Sequence, residues 1–276
     1  MEAGTRVKAG AAVLLVGAFA VGGWMLWRHV GPKVMGSVEY RVDPSDIELR
    51  PDPPQWIETD IRAEVFQKLR ARGPLSLLDE GLVVDVAEAF AEHPWIALVE
   101  QVHKRHPSRV TVTVEYRRPV CLVELTVGGR QRLLAVDRLG VLLPGMYDGG
   151  GPFAELPVLV GIDTPPMGPA GHPWGDPRVM GGAEVAAAVA HHARAWSLVR
   201  IVPTPREPLG AIDRTEYSLL LADGTRIVWG PAPGDAPPGE PTAEQKVERL
   251  KRFFAQQPAG GDVVPRDLDV RQLPGE

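Results

Sequence analysis

The sequence predicts an α+β protein: one N-terminal transmembrane helix, a β-α-α-β-β module, then a mainly antiparallel β domain with flanking helices. Three observations carry this expectation. Ala9 to Trp27 runs nineteen residues without a charge. Beyond it, apolar residues change repeatedly between helical spacing and strict alternation. Gly and Pro number 30 and 28 in 276 residues, which marks many turns and long surface insertions.

Taken in chain order, residues 1–8 read as a short tail and 9–27 as the span. Nineteen residues at ~1.5 Å each cover most of a ~30 Å hydrocarbon core. Trp24 and Trp27 sit at the far end, where indoles favour the membrane interface. Ala18-Phe19-Ala20 has the small-x-small form of a signal-peptide cleavage site, but the apolar run continues seven residues past Ala20, which a cleaved leader does not need. A short tail before a large C-terminal region favours the tail inside and the bulk of the chain outside. Residues 28–37 read as a linker.

The first soluble segment, 38–116, opens with the alternating strand Ile47 to Arg50, stopped by Pro51 to Pro54. A helix follows, capped by Thr59 or Asp60, with Ile61, Val65 and Leu69 on one face and Gly73-Pro74 as its stop. Leu82, Val86 and Phe90 predict a second helix that ends before His93-Pro94. Ile96 to Val102 and Val110 to Val114 predict two strands joined at His106-Pro107-Ser108. Two helices on one face of a three-stranded sheet leave an open sheet edge, a natural docking surface for an added strand.

The second soluble segment, 117–273, carries strand signals about a turn at Leu134 to Leu142 and again at Leu156 to Gly161. Glu184 to Trp196 is alanine-rich and helical, and Val199 to Val202 forms a strand. Tyr217, Leu219 and Leu221 alternate toward the Asp223-Gly224 turn, and Arg226 to Trp229 returns. Thr242 caps a helix with Val247, Leu250 and Phe253 or Phe254 on its apolar face, and Val263 to Arg271 is a final strand. Residues 144–153, 163–182 and 231–241 are Pro/Gly-rich and read as surface loops.

Composition bounds the chemistry. Hydrophobic residues at 44% and charged residues at 24% allow one large domain or two small ones. The first 33 residues hold four basic residues and one acidic, so from Val34 onward 26 basic face 34 acidic residues, a charge of −8 that the N-terminal +3 brings to the total of −5. Such an acidic region is repelled by phosphate backbones, which argues against nucleic-acid binding. Cys121 is the single cysteine, so no intrachain disulfide or cysteine zinc site is available; its apolar neighbours place it in a core.

An enzyme needs convergent polar groups, and the sequence shows no HExxH, GxSxG, P-loop or dinucleotide fingerprint. His191 and His192 are adjacent on a helix and diverge by ~100°, which opposes a shared metal. Trp95 reads as a core residue between helix and strand before a partner anchor, and Asp79-Glu80 and Asp43/Asp46 as solvated acids. No catalytic residue, cofactor, metal or small-molecule substrate is expected. A hydrolase released by cleavage after Ala20 is the enzyme alternative, sunk if the mature protein keeps Met1 to Trp27.

Several motifs in order give a resemblance. His93-Pro94-Trp95-Ile96, His106-Pro107-Ser108-Arg109-Val110-Thr111-Val112 and Glu115-Tyr116-Arg117-Arg118-Pro119-Val120 resemble the POTRA-module motifs of the FtsQ/DivIB bacterial cell-division family. Leu134 to Gly140 is similar to its "LVD..G" element and Leu156 to Gly161 to its "LP.L.G" element. Leu221 to Leu250 matches "L.DG..v.lG……K..rL..f", and Asp269-Val270-Arg271 its terminal "DLR". The resemblance implies a POTRA-like module over 38–116 and an FtsQ-type β domain over 117–273. It also implies a non-catalytic scaffold of the division complex whose partners are small bitopic coiled-coil proteins docking on the last strand. Carried onto this sequence, the partner-binding positions are Arg214, Arg271, Gln272 and Leu273; Gln272 stands where an aromatic is common, and Pro274 cannot donate to a ladder. A POTRA-bearing accessory of secretion or outer-membrane assembly is the remaining alternative, disfavoured by the single module and by the lack of a following barrel.

Overall fold

The computed structural model describes residues 19–26, 28, 40–147, 151–206, 214–256 and 267–271, without the side chains of 205, 206 and 214. Residues 19–26 are helical, and the Arg28 guanidinium lies 5.2 Å from the Trp24 ring. The rest of the expected span, with the tail and the linker from 29 to 37, lies outside the described residues. Among the described residues, no helix is long and apolar enough to cross a membrane. The chain is α+β and divides into two compact units, Met1–Ala91 with Leu98–Glu115, and Glu92–Ala97 with Tyr116–Glu276.

In the first unit the chain order is β1 (Ile47–Arg50), α1 (Ile61–Arg70), α2 (Leu82–Ala91), β2 (Ile96–Arg105) and β3 (Arg109–Tyr116). Asp60, rather than Thr59, caps α1 by accepting from the amides of Arg62 and Ala63. Ile61, Val65 and Leu69 of α1, and Leu82, Val86 and Phe90 of α2, are all buried. The sheet order is β1-β3-β2, with β1 parallel to β3 from Ile47 opposite Val110 to Arg50 opposite Thr113. The central β3 therefore takes the burial: Val110, Val112 and Val114 are buried, and so is Thr111. β2 departs from expectation. It runs to Arg105, and beyond Ile96 its residues are half-buried or exposed, Leu98 by 53%, because an edge strand is packed along one side only.

The second unit holds β4 (Pro119–Val127), β5 (Arg130–Asp137), β6 (Val158–Leu159), α3 (Pro177–Ala193), β7 (Leu198–Arg206), β8 (Arg214–Leu221), β9 (Arg226–Pro231), α4 (Ala243–Ala255) and β10 (Asp267–Asp269). The strand order is β10-β9-β8-β7-β6-β4-β5. The sheet is mixed, which corrects the mainly antiparallel expectation. β4–β5, β7–β8 and β8–β9 are antiparallel, while β4–β6, β6–β7 and β9–β10 are parallel. The two helices explain two of the parallel pairs: α3 carries the chain from β6 to β7 and α4 from β9 to β10, the long return a parallel neighbour requires.

Three further differences have local causes. The β4–β5 hairpin was not expected, yet Gly128 and Gly129 at φ 58 and 77 supply the two left-handed residues a tight hairpin needs. α3 begins at Pro177 rather than Glu184, so the expected loop 163–182 ends at Asp176. That side chain caps the helix through the Arg178 amide, with proline in the first turn. Gly182 sits inside α3 where a Cβ would come 2.7 Å from the Leu159 Cδ1, so its cost in helix propensity is exchanged for close approach to the sheet. The last strand spans Asp267–Asp269; residues 263–266 of the longer expected strand lie outside the described residues.

One core joins the sheet to both helices. Tyr217, Leu219 and Leu221 of β8, Ile227 and Trp229 of β9, Val185 and Val189 of α3 and Leu250 of α4 belong to it. Cys121 lies fully inside, and burial pushes its thiol up to about 12, the behaviour of an inert core cysteine.

Candidate functional site

Of the expected partner positions, Arg271 follows β10 at the edge of the seven-stranded sheet and Arg214 lies on β8. Because Tyr217, Leu219 and Leu221 point into the core beneath α3 and α4, the alternate residues of β7 to β10 form the opposite face. Register sets them in rows: Val202, Ser218, Val228 and Asp269 lie side by side, and next to them Arg200, Leu220, Arg226 and Asp267. Val202, Leu220 and Val228 are half-buried, while Arg200, Arg226 and Asp267 are exposed. The result is a short apolar strip with charged flanks, ending at a sheet edge.

Arg271 is at that edge and is held from within the chain. Its Nη2 donates to Asp269 Oδ2 at 2.7 Å, its Nε to Asp269 Oδ1 at 3.0 Å, and its Nη1 to Glu216 Oε2 on β8 at 3.1 Å. The hydrogen bonds from Arg271 hold the Asp269 carboxyl below its ordinary range against the opposing effect of burial. Arg271 itself is raised, first by Asp269. An arginine that forks over one carboxylate and reaches a second is a clamp: it ties β10 across β9 to β8. Arg214 begins β8, opposite Arg206 of β7. Gln272 and Leu273 lie outside the described residues.

A second clamp, not expected from sequence, lies behind the edge. Lys246 of α4 is 2% exposed; its Nζ donates to the Trp229 carbonyl at 2.8 Å and to Glu240 Oε1 at 2.5 Å, and it lies 5.3 Å from the Trp229 ring. It joins α4, β9 and the 231–241 loop. The available signal was its place one turn before the buried Leu250, on the apolar face of α4.

Trp95 is buried, its ring centroid 6.5 Å from that of Phe153. His192 stacks on Trp196 at 4.8 Å, and Trp196 on Phe254 at 5.2 Å, while His191 is exposed. Asp79 accepts from the Gly81 amide and Asp46 from the Asp43 amide, the local bonding that turns favour. Among the described residues, no group of His, Cys, Asp and Glu is placed to hold a metal ion. No protein-family model matches the sequence, and no curated protein matches it.

Proposed function

We propose that this chain is a non-catalytic, membrane-anchored scaffold of the bacterial cell-division complex, of the FtsQ/DivIB type. Residues 9–27 fix it in the inner membrane, and the bulk lies on the periplasmic side. The first unit is POTRA-like, in keeping with its β-α-α-β-β order, and docks through its sheet edge. The second unit receives small bitopic coiled-coil proteins at the β10 edge.

The observation that carries this reading is the β10 edge itself: a strand at the margin of a seven-stranded sheet, clamped by Arg271, beside an apolar strip with charged flanks. Three residues of strand offer few backbone hydrogen bonds, so strand addition alone gives a weak complex. The adjacent strip of Val202, Leu220 and Val228 supplies the side-chain contacts that affinity requires. Arg271 acts in this scheme by holding the edge in register.

Photoreactive residues at Asp267 and Arg226 in dividing cells test the proposal, with Val127 at the remote β4–β5 turn as control. Capture of small single-span coiled-coil division proteins at the first two positions but not at Val127 supports it. Capture of no division protein at Asp267 or Arg226 overturns it.

A further inference from the structure

A groove of about 630 Å³ runs between α3 and α4, on the helical side of the sheet, opposite the face that bears Val202, Leu220 and Val228. Its floor is Ala187 and Ala188 from one helix and Ala243 and Val247 from the other, all half-buried. Small side chains at the floor let a third helix approach to the ~8–10 Å of ordinary helix packing.

The walls have helical period. Glu184, Ala187 and Ala188 lie on one stripe of α3, and Ala243, Val247 and Lys251 on one stripe of α4. Leu139, which also lines the groove, is 55% exposed. A channel lined by two such stripes, about one turn of α3 and about two turns of α4, suits a rod of helix better than a compact ligand.

Charge selects the rod. Glu184, Glu244 and Glu248 line the groove with Arg138 and Lys251. Lys251 is taken by Glu248 at 2.9 Å. Glu184 accepts from the Gly234 amide at 2.8 Å, and among the described residues neither Glu184 nor Glu244 is paired with a cation. Two carboxylates without a cation against the single guanidinium of Arg138 leave the rim acidic.

We propose that this groove is a docking site for an amphipathic helix of a partner protein, apolar on the face it buries and basic on its flank. The apolar face covers the alanine floor, and lysine or arginine side chains on the flank meet Glu184 and Glu244. The site is separate from the β10 edge, so the two can be filled together.

Full-length protein in its native membrane, with photoreactive residues at Leu139 and Lys251, tests this by mapping the crosslinked segment of the captured protein. The expected product is crosslinked within an amphipathic helical stretch bearing Lys or Arg. Its yield falls about fivefold in E184Q/E244Q, the effect of two rim ion pairs near 0.5 kcal/mol each, while capture at Asp267 is unchanged. The glutamines keep the side-chain shape and an acceptor for the Gly234 amide, and an unchanged thermal midpoint shows that the fold is kept. A segment without basic residues, a second copy of this chain, no product at either position, or a yield indifferent to E184Q/E244Q overturns the proposal.

Discussion

Arg117 Nη1 donates to Asp137 Oδ2 at 2.7 Å, joining a residue two positions before β4 to the last residue of β5. The side chains are 15% and 5% exposed. Asp137 Oδ1 also accepts from the amides of Leu139 and Val141, so one carboxylate closes the turn after β5 and neutralises a buried arginine. Removing the guanidinium leaves a carboxylate with little water and no cation. Arg117→Ala is expected to cost about 3 kcal/mol, read as a lower denaturant midpoint at unchanged slope. A loss below about 1 kcal/mol, the range of exposed pairs, would show that water replaces the arginine.

The Lys246–Glu240 pair leads to a prediction that the second change offsets part of the cost of the first. Lys246→Met keeps most of the volume on α4 but strands Glu240, whose side chain is 12% exposed, and leaves the Trp229 carbonyl without its donor. About 2 kcal/mol of destabilisation is expected. Adding Glu240→Gln removes the stranded charge, so the double variant should recover part of the loss, with a coupling above about 0.5 kcal/mol in a double-mutant cycle. Strict additivity would mean that the two side chains do not act as a pair.

The helices of the first unit were legible because each shows one apolar period and a stop, as in Asp60, Ile61, Val65 and Leu69, then Gly73-Pro74, whereas the end of β2 was not. The first turns of α3 were not. Gly181 and Gly182 read as breakers in a Pro/Gly-rich stretch, and only contact with the sheet makes a helix through them favourable, a tertiary effect no local window contains. Asp176-Pro177 did carry the local start signal. The clamps were hidden for another reason. Arg271 and Asp269 are two apart in sequence, but Glu216 reaches them only through the strand order β8-β9-β10, which composition and spacing leave open.

Gly182 tests that account of α3. Gly182→Ala gains about 1 kcal/mol in helix propensity but drives a methyl into Leu159, whose Cδ1 and Cδ2 would be 2.7 and 2.8 Å away. Leu159 is fully buried, and overpacking costs about 1–3 kcal/mol. The clash wins, and net destabilisation is expected. In a Leu159→Ala background the methyl has room, and Gly182→Ala should become stabilising. Two thermal melts in each background decide it; no change of sign would place the constraint elsewhere.

At the β10 edge the same reasoning extends to pH. Asp269 titrates below its ordinary value because Arg271 hydrogen-bonds it, against burial. Its folded form thus prefers the carboxylate more than the unfolded chain does. The associated stability is present above the unfolded value near pH ~4 and is lost as pH falls through the lower folded value. Asp176 behaves alike: burial works against it, but hydrogen bonds from Arg178 and Thr164 prevail. Acidification should therefore loosen β10 and the α3 start before the central strands. Hydrogen exchange at pH 7 and near pH ~3 reads this: protection of Leu268 and Val270 should fall, that of Leu219 and Ile227 should persist. Asp269→Asn should already show the loosened edge at pH 7 and respond little to acid. If protection in β10 is the same at both pH values in the unchanged chain, Arg271 does not hold the edge through Asp269.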